Sequence, residues 1–219
     1  VAQTYKENGK HIISTFLEHS SVSSPLSYLK EQGYEIDIVG ITSDGRVDLE
    51  ELKRLIRDDT ILVSVCYIDS EVGNVQLIRE IAELVSKYPN CFLHVDATQA
   101  IGKTEVNFSG VDLISFAPHK FDGLNGFGCL LKKKDMVLEP LINGGASTTI
   151  YRSGTPATPL IVSFAKALRL SYDSFNEKEK HVKEIHDYLI SKLQNLDVCI
   201  NSNNYSINNI VNFSLKNIK

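Results

Sequence analysis

Two residues in this sequence combine types and positions that could do chemistry. Asp96 closes the short apolar run FLHV, and Lys120 follows the run VDLISF within Ala117-Pro118-His119-Lys120. Both runs have the length and composition of buried strands. Ionisable groups just past the C-terminal ends of such strands sit where open α/β sheets bind their ligands. A lone Asp or Lys at a strand end is ordinarily a solvated loop residue. On neighbouring strands, with His119 beside the lysine, the pair offers a more particular chemistry. An aldehyde cofactor such as pyridoxal phosphate needs a lysine amine for a Schiff base. It also needs a carboxylate beside its pyridine nitrogen, which keeps the ring electron-poor.

The stretch HVDATQAIGK, followed by DLISFAPHKFDGLNGFG, closely resembles the pyridoxal-phosphate signature of cysteine desulfurases, within the class V aminotransferase group. The resemblance implies that Lys120 is the Schiff-base lysine and Asp96 the partner of the pyridine nitrogen. It implies further that Gln99 bonds the ring oxygen and that His119 is a ligand of the cofactor phosphate. The Glu18-His19 pair matches a position where the family lays an imidazole flat against the cofactor ring, so His19 is expected as a cofactor and acid–base residue. NGGASTTIYRSGT resembles a family segment whose threonine reaches the phosphate bound by the other subunit. That makes Thr155 a cross-subunit ligand in a homodimer, with Arg152 on the substrate or phosphate side.

The chain departs from the family pattern in three places. Asp69-Ser70-Glu71-Val72-Gly73 replaces an N-N-E-x-G sequence, so Ser70 stands where an amide normally touches substrate, and a hydroxyl offers one donor where an amide offers two. Ala117-Pro118 replaces Ser-Gly and removes a phosphate-binding hydroxyl. Leu124-Asn125 replaces a common Pro-Lys.

The elements that must position these residues alternate in type. HIIST, YEIDIVGI, the β-branched run ILVSVCYI, FLHV, VDLISF and FGCLL read as strands. Helical spacing follows in SSVSSPLSYLKEQG, in LEELKRLI behind an Asp48 cap, and in VQLIREIAELVSKY. VAQTYKENGK reads as the tail of an amphipathic helix. This alternation predicts an α/β fold, a doubly wound, mostly parallel mixed sheet flanked by helices. The expected division is a large cofactor-binding domain over residues 1–155. Connecting helices and the start of a small α+β domain would occupy 156–219, where IVSFAKALRLSY and EKHVKEIHDYLISKL lead to DVCI and NNIVNFSL.

Composition sets bounds on function. The chain has 219 residues, of which 42% are hydrophobic, enough for a sizeable core. With 23 basic and 27 acidic residues the net charge is −4 without like-charge blocks, which argues against a nucleic-acid surface, and no run is apolar enough to span a membrane. Cys66, Cys91, Cys129 and Cys199 form no CxxC pair and read as buried free thiols of a reducing cytoplasm. His181 and His186 are spaced five apart, not as metal ligands on one helical face, so no metal is expected. The start at Val1 and the stop soon after an apolar strand are expected to mark a central piece of a longer enzyme.

The resemblance implies conversion of L-cysteine to L-alanine. Sulfur would pass as a persulfide to a protein cysteine, for iron–sulfur cluster or thio-cofactor biosynthesis, with a scaffold protein as acceptor. The persulfide cysteine is expected outside these residues, so the chain alone is expected to be inactive. Another class V enzyme, such as a selenocysteine lyase or an aminotransferase, is the alternative, as is a catalytically silent cofactor-binding and dimerisation core.

Overall fold

The computed structural model describes residues 1–145 and 149–216. Six strands form the main sheet: β1 (His11–Thr15), β2 (Glu35–Val39), β3 (Thr60–Cys66), β4 (Phe92–Asp96), β5 (Leu113–Phe116) and β6 (Cys129–Lys132). Their order is β2-β1-β3-β4-β5-β6. All neighbours run parallel except β6, which pairs antiparallel with β5. The α/β fold expected from the strand–helix alternation is the one observed.

Burial explains why these runs are strands. Every residue of HIIST is buried, and six of the seven in TILVSVC are. Strands covered on both faces need continuous apolar, β-branched sequence, not alternation. On one side Ile13, Val63, Val65, Leu93 and Val95 meet α3 (Ile78–Val85), which buries Ile78, Ile81, Ala82, Leu84 and Val85. On the other, Ile12 and Ile61 pack with Leu26 of α1 (Ser20–Glu31). Between β2 and β3 lies α2 (Leu49–Leu55), capped as expected by Asp48, whose Oδ1 accepts the N–H groups of Glu50 and Glu51, each at 3.0 Å. Two longer helices, α4 (Thr158–Asp173) and α5 (Phe175–Leu193), lead to a hairpin of β7 (Val198–Ile200) and β8 (Phe213–Leu215). No helix among the described residues is long and apolar enough to cross a membrane.

Two expected elements differ. Residues 2–8 form successive turns, not a helical tail, with the Tyr5 N–H donating to the Val1 carbonyl at 2.9 Å. The helix expected from Val75 begins only at Ile78. Val75 is taken by an antiparallel bridge to Ile68, and the Gln76 side chain accepts the Val47 N–H at 2.9 Å. Those tertiary partners outweigh helical periodicity at the first three positions.

A polar rung crosses the sheet below the strand ends. Ser14 Oγ donates to the Ser64 carbonyl at 2.9 Å, Ser64 Oγ meets His94 Nδ1 at 2.8 Å, and His94 Nε2 meets Ser115 Oγ at 2.9 Å. It ties β1, β3, β4 and β5 together, and its His94 lies two residues before Asp96 on β4. Burial lowers the His94 pKa, which keeps the imidazole neutral between its two hydroxyl partners. His94→Leu leaves both hydroxyls without that partner. We expect it to lower the unfolding free energy of the full-length protein by roughly 1–3 kcal/mol in urea titration. A loss under about 0.5 kcal/mol, typical of inconsequential surface sites, would contradict this.

Candidate active site

Parallel strands place their C-terminal ends on one edge of the sheet, and the register aligns them closely. Cys66 of β3 is level with Asp96 of β4, which is level with Ser115 of β5. The chain leaves β1 for β2 on one side and returns to β3 on the other, so the strand order switches between β1 and β3. Such switch points open a crevice at the strand ends. Here a cavity of about 550 Å³ is lined by His19, Ser70, Asp96, Gln99, His119 and Lys120. Six of the eight candidate residues are brought together. Arg152 and Thr155 are not: both are exposed and neither lines this cavity, and the Arg152 guanidinium donates to the Ser153 carbonyl at 3.0 Å. Residues 146–148 of the Asn143–Thr155 segment lie outside the described residues.

Local structure fixes each side chain. Asp96 ends β4, buried, with Oδ1 accepting the Thr98 N–H at 2.9 Å. Lys120 closes a 3₁₀ turn, Pro118–Lys120, that starts directly after β5. Gly123 locks this turn through an N–H bond to the Pro118 carbonyl at 2.8 Å. A Cβ there would lie 2.6 Å from Pro118 Cβ, so only glycine fits. Ser70 rides on a loop folded around Asp69. The buried Asp69 carboxylate accepts N–H groups from Glu71 (3.0 Å), Val72 (2.7 Å) and Asn74 (2.8 Å). His19 is the N-cap of α1, with Nδ1 accepting the Ser21 N–H at 3.1 Å. A nitrogen that accepts a backbone proton carries none itself, so the neutral ring holds its proton on Nε2. His19 caps the helix and lines the cavity together with its capping partner Ser21.

Two residues with roles at this site escaped sequence reasoning. Glu18, recognised only as the neighbour of His19, bridges the switch point. Its Oε1 accepts from the Thr15 hydroxyl at 2.9 Å and from the Cys66 N–H at 2.8 Å, clasping the ends of β1 and β3. Its Oε2 is buried without a hydrogen-bond partner. Burial pushes the carboxyl up to about 7, and the nearby Asp96 charge adds to the effect. Lys103 donates to Gln99 Oε1, and burial, together with the Lys120 charge, lowers its pKa. The only sequence signal for either was its place inside a matched motif.

The cysteines divide. Cys66 and Cys91 are buried as expected, and burial raises both thiols, Cys91 to about 12. Cys129 is half-buried and Cys199 exposed, a correction to the expectation of burial: β6 is an edge strand, and β7 belongs to a two-stranded hairpin with little to cover it.

The sequence and the fold are shared with known proteins. The family model for class V aminotransferases matches residues 1–219. The chain belongs to the class V aminotransferase family, whose cofactor is pyridoxal 5'-phosphate. Within it, the relatives are cysteine desulfurases and their homologues. A "NifS/IcsS protein homolog" of Lactobacillus delbrueckii subsp. bulgaricus is 41% identical over 194 residues, covering 85% of this chain and 50% of that protein. "Cysteine desulfurase IscS" of Dictyoglomus turgidum is 34% identical over 219 residues, covering 98% of this chain and 55% of that protein. A solved "NifS-like protein" superposes with a TM-score of 0.95 at 35% identity, over 100% of this chain and 61% of that one. The chain thus spans about half the length of these curated relatives.

Glu18 carries a pH signature. Its folded pKa of about 7 exceeds the ordinary 4.5, so between those values the native state binds more protons than the unfolded state. Stability therefore falls as pH rises through that window. Glu18→Gln, which imitates the protonated acid, should flatten this slope in the full-length protein. It should gain on the order of 2–3 kcal/mol over the unsubstituted protein at about pH 8, with little difference near pH 5. Parallel stability profiles for the two proteins, in urea unfolding across that range, would contradict the assignment.

Proposed function

We propose that this chain is the cofactor-binding part of a cysteine desulfurase. That enzyme takes L-cysteine to L-alanine and passes the sulfur, as a persulfide, to a protein cysteine. The observation that supports it most is the convergence of an amine, a buried carboxylate, an amide and two imidazoles on one cavity at the switch point. That donor set suits pyridoxal phosphate, and about 550 Å³ is the size of a small-molecule site. When bound, the cofactor supplies an electron sink for the substrate's α-carbon.

In this reading the chain's own groups divide the work. Lys120 would hold the cofactor through its amine and could then take the α-proton on Nζ. Asp96, whose Oδ1 accepts the Thr98 N–H, would be the partner of the ring nitrogen and favour its protonated form. Gln99 would serve the ring oxygen, His119 the phosphate, and His19 the ring, as an acid–base group. Ser70 is on the substrate side. Ala117 lines the cavity without the hydroxyl usual in the family, so phosphate anchorage leans on other groups. Thr155 and Arg152, which do not line this chain's own cavity, would serve the site of the second subunit in a homodimer.

Sulfur transfer needs a mobile thiolate. Cys66 lines the cavity but is held at the end of β3 with its pKa raised well above the thiol range. Cys91 is buried, and Cys129 and Cys199 sit within strands and do not line the cavity; we therefore assign the acceptor cysteine to a segment outside these 219 residues. The division at 155/156, with a large cofactor-binding part first, belongs to the same reading, as do the cytoplasm and an iron–sulfur scaffold as final acceptor. Mitochondrial cysteine desulfurases are also among the relatives.

The test is the reaction itself. The full-length protein with pyridoxal phosphate and a thiol reductant should release alanine and sulfide from L-cysteine in equal amounts. Lys120→Ala and Asp96→Asn should each lower the rate by about 10²–10⁴-fold. Alanine release that survives Lys120→Ala undiminished would rule the reading out.

A further inference from the structure

We propose that Lys103 is a positioning residue that sets which end of the Gln99 amide the candidate site receives. This rests on the reading of Gln99 as the ring-oxygen partner and deepens it.

Gln99 and Lys103 lie one turn apart on the stretch leaving β4, where the Ile101 and Thr104 N–H groups bond back to the carbonyls of Ala97 and Ala100 at 3.1 and 3.2 Å. Lys103 Nζ donates to Gln99 Oε1. An ammonium has donors only, so it can hold the oxygen of an amide and never the NH₂ end. With Oε1 taken, Nε2 and its two protons are what Gln99 has to offer the cavity it lines. A donor there attracts an anionic oxygen, whereas the flipped amide would present a lone pair to it and repel it. Gln99 cannot choose between these by itself, because its two ends have nearly the same shape.

Lys103 is built into the place from which it acts. It lines a second cavity, of about 330 Å³, which shares Lys120 with the candidate site. Among the described residues, the charged and titratable groups around it are Lys120 and Asp122 from the turn after β5, Lys178, Glu179 and His181 from α5, Glu105 from its own segment, and Tyr205. Lys178 and Asp122 bond one another at 2.7 Å, and Glu179 accepts from the Asn208 amide at 3.2 Å. The Lys103 hydrogen bond goes to the neutral amide, and so its proton is spent on orientation.

The experiment reads the near-visible absorbance of the cofactor bound to the full-length protein as a function of pH. A donor at the ring oxygen favours its anionic form and holds the titration midpoint down. Lys103→Met should raise the midpoint by about one pH unit, the equivalent of one charge-assisted hydrogen bond. Lys103→Arg, which keeps the donors, should leave it in place. In a Gln99→Leu background, Lys103→Met should produce no further rise. Should Lys103→Met fail to fold, Lys103→Gln reads the same quantity, with a smaller rise because its amide can also accept. An unmoved midpoint overturns the proposal. So does an equal rise in the Gln99→Leu background, which would mean that Lys103 acts by charge alone. An unsubstituted protein with no cofactor band would instead overturn the reading of the site, and the proposal with it.

Discussion

The structure depends on a buried carboxylate at the end of a parallel strand. Asp96 is 9% exposed, level with Cys66 on one side and Ser115 on the other. Taking a charge out of water costs several kcal/mol unless fixed donors or an opposite charge replace the solvent. One backbone N–H, from Thr98, faces Oδ1. In the proposed reading the remaining demand would be met by the cofactor, whose protonated ring nitrogen has the right charge and hydrogen-bonding sense. The same demand explains the environment of Glu18. Burial raises the Glu18 carboxyl, clasped between β1 and β3, and the Asp96 charge nearby raises it further.

Beneath that pair the sheet is stiffened by polar groups, not only by apolar ones. The Ser14–Ser64–His94–Ser115 rung crosses four strands, each hydroxyl and imidazole having a partner. Buried polar networks of this kind are stable only when complete, and they fix register because a slip of one residue would orphan every member. The register in turn sets the height of Asp96 relative to the lysine turn. On the far side, Gly123 holds that turn closed against Pro118. Strand register and turn closure place the amine and the acid in one cavity.

Much of this was legible in the sequence because it is local. FLHVD and VDLISF carry their strand character in their composition, and the amine and acid sit at fixed offsets from the strand ends. What stayed hidden depends on contacts made at long range. Val75 looks helical until Ile68 and Gln76's partner Val47 are brought beside it. Glu18 looks like a polar neighbour of His19 until β3 supplies the Cys66 N–H from 48 residues away. Lys103 was read as the last letter of a motif, because its hydrogen bond to Gln99 depends on how one turn of chain is wound and which side chains face one another. Cys129 and Cys199 looked buried because strand-like sequence does not reveal whether a strand lies at an edge.

The cavity at the strand ends is proposed to hold pyridoxal phosphate through Lys120. The most direct measurement is reduction of the cofactor-loaded full-length protein with borohydride, followed by peptide mapping of the modified lysine. A single stable adduct is expected on Lys120, absent from Lys120→Ala. An adduct on Lys103 or Lys132, or no adduct at all, would contradict it.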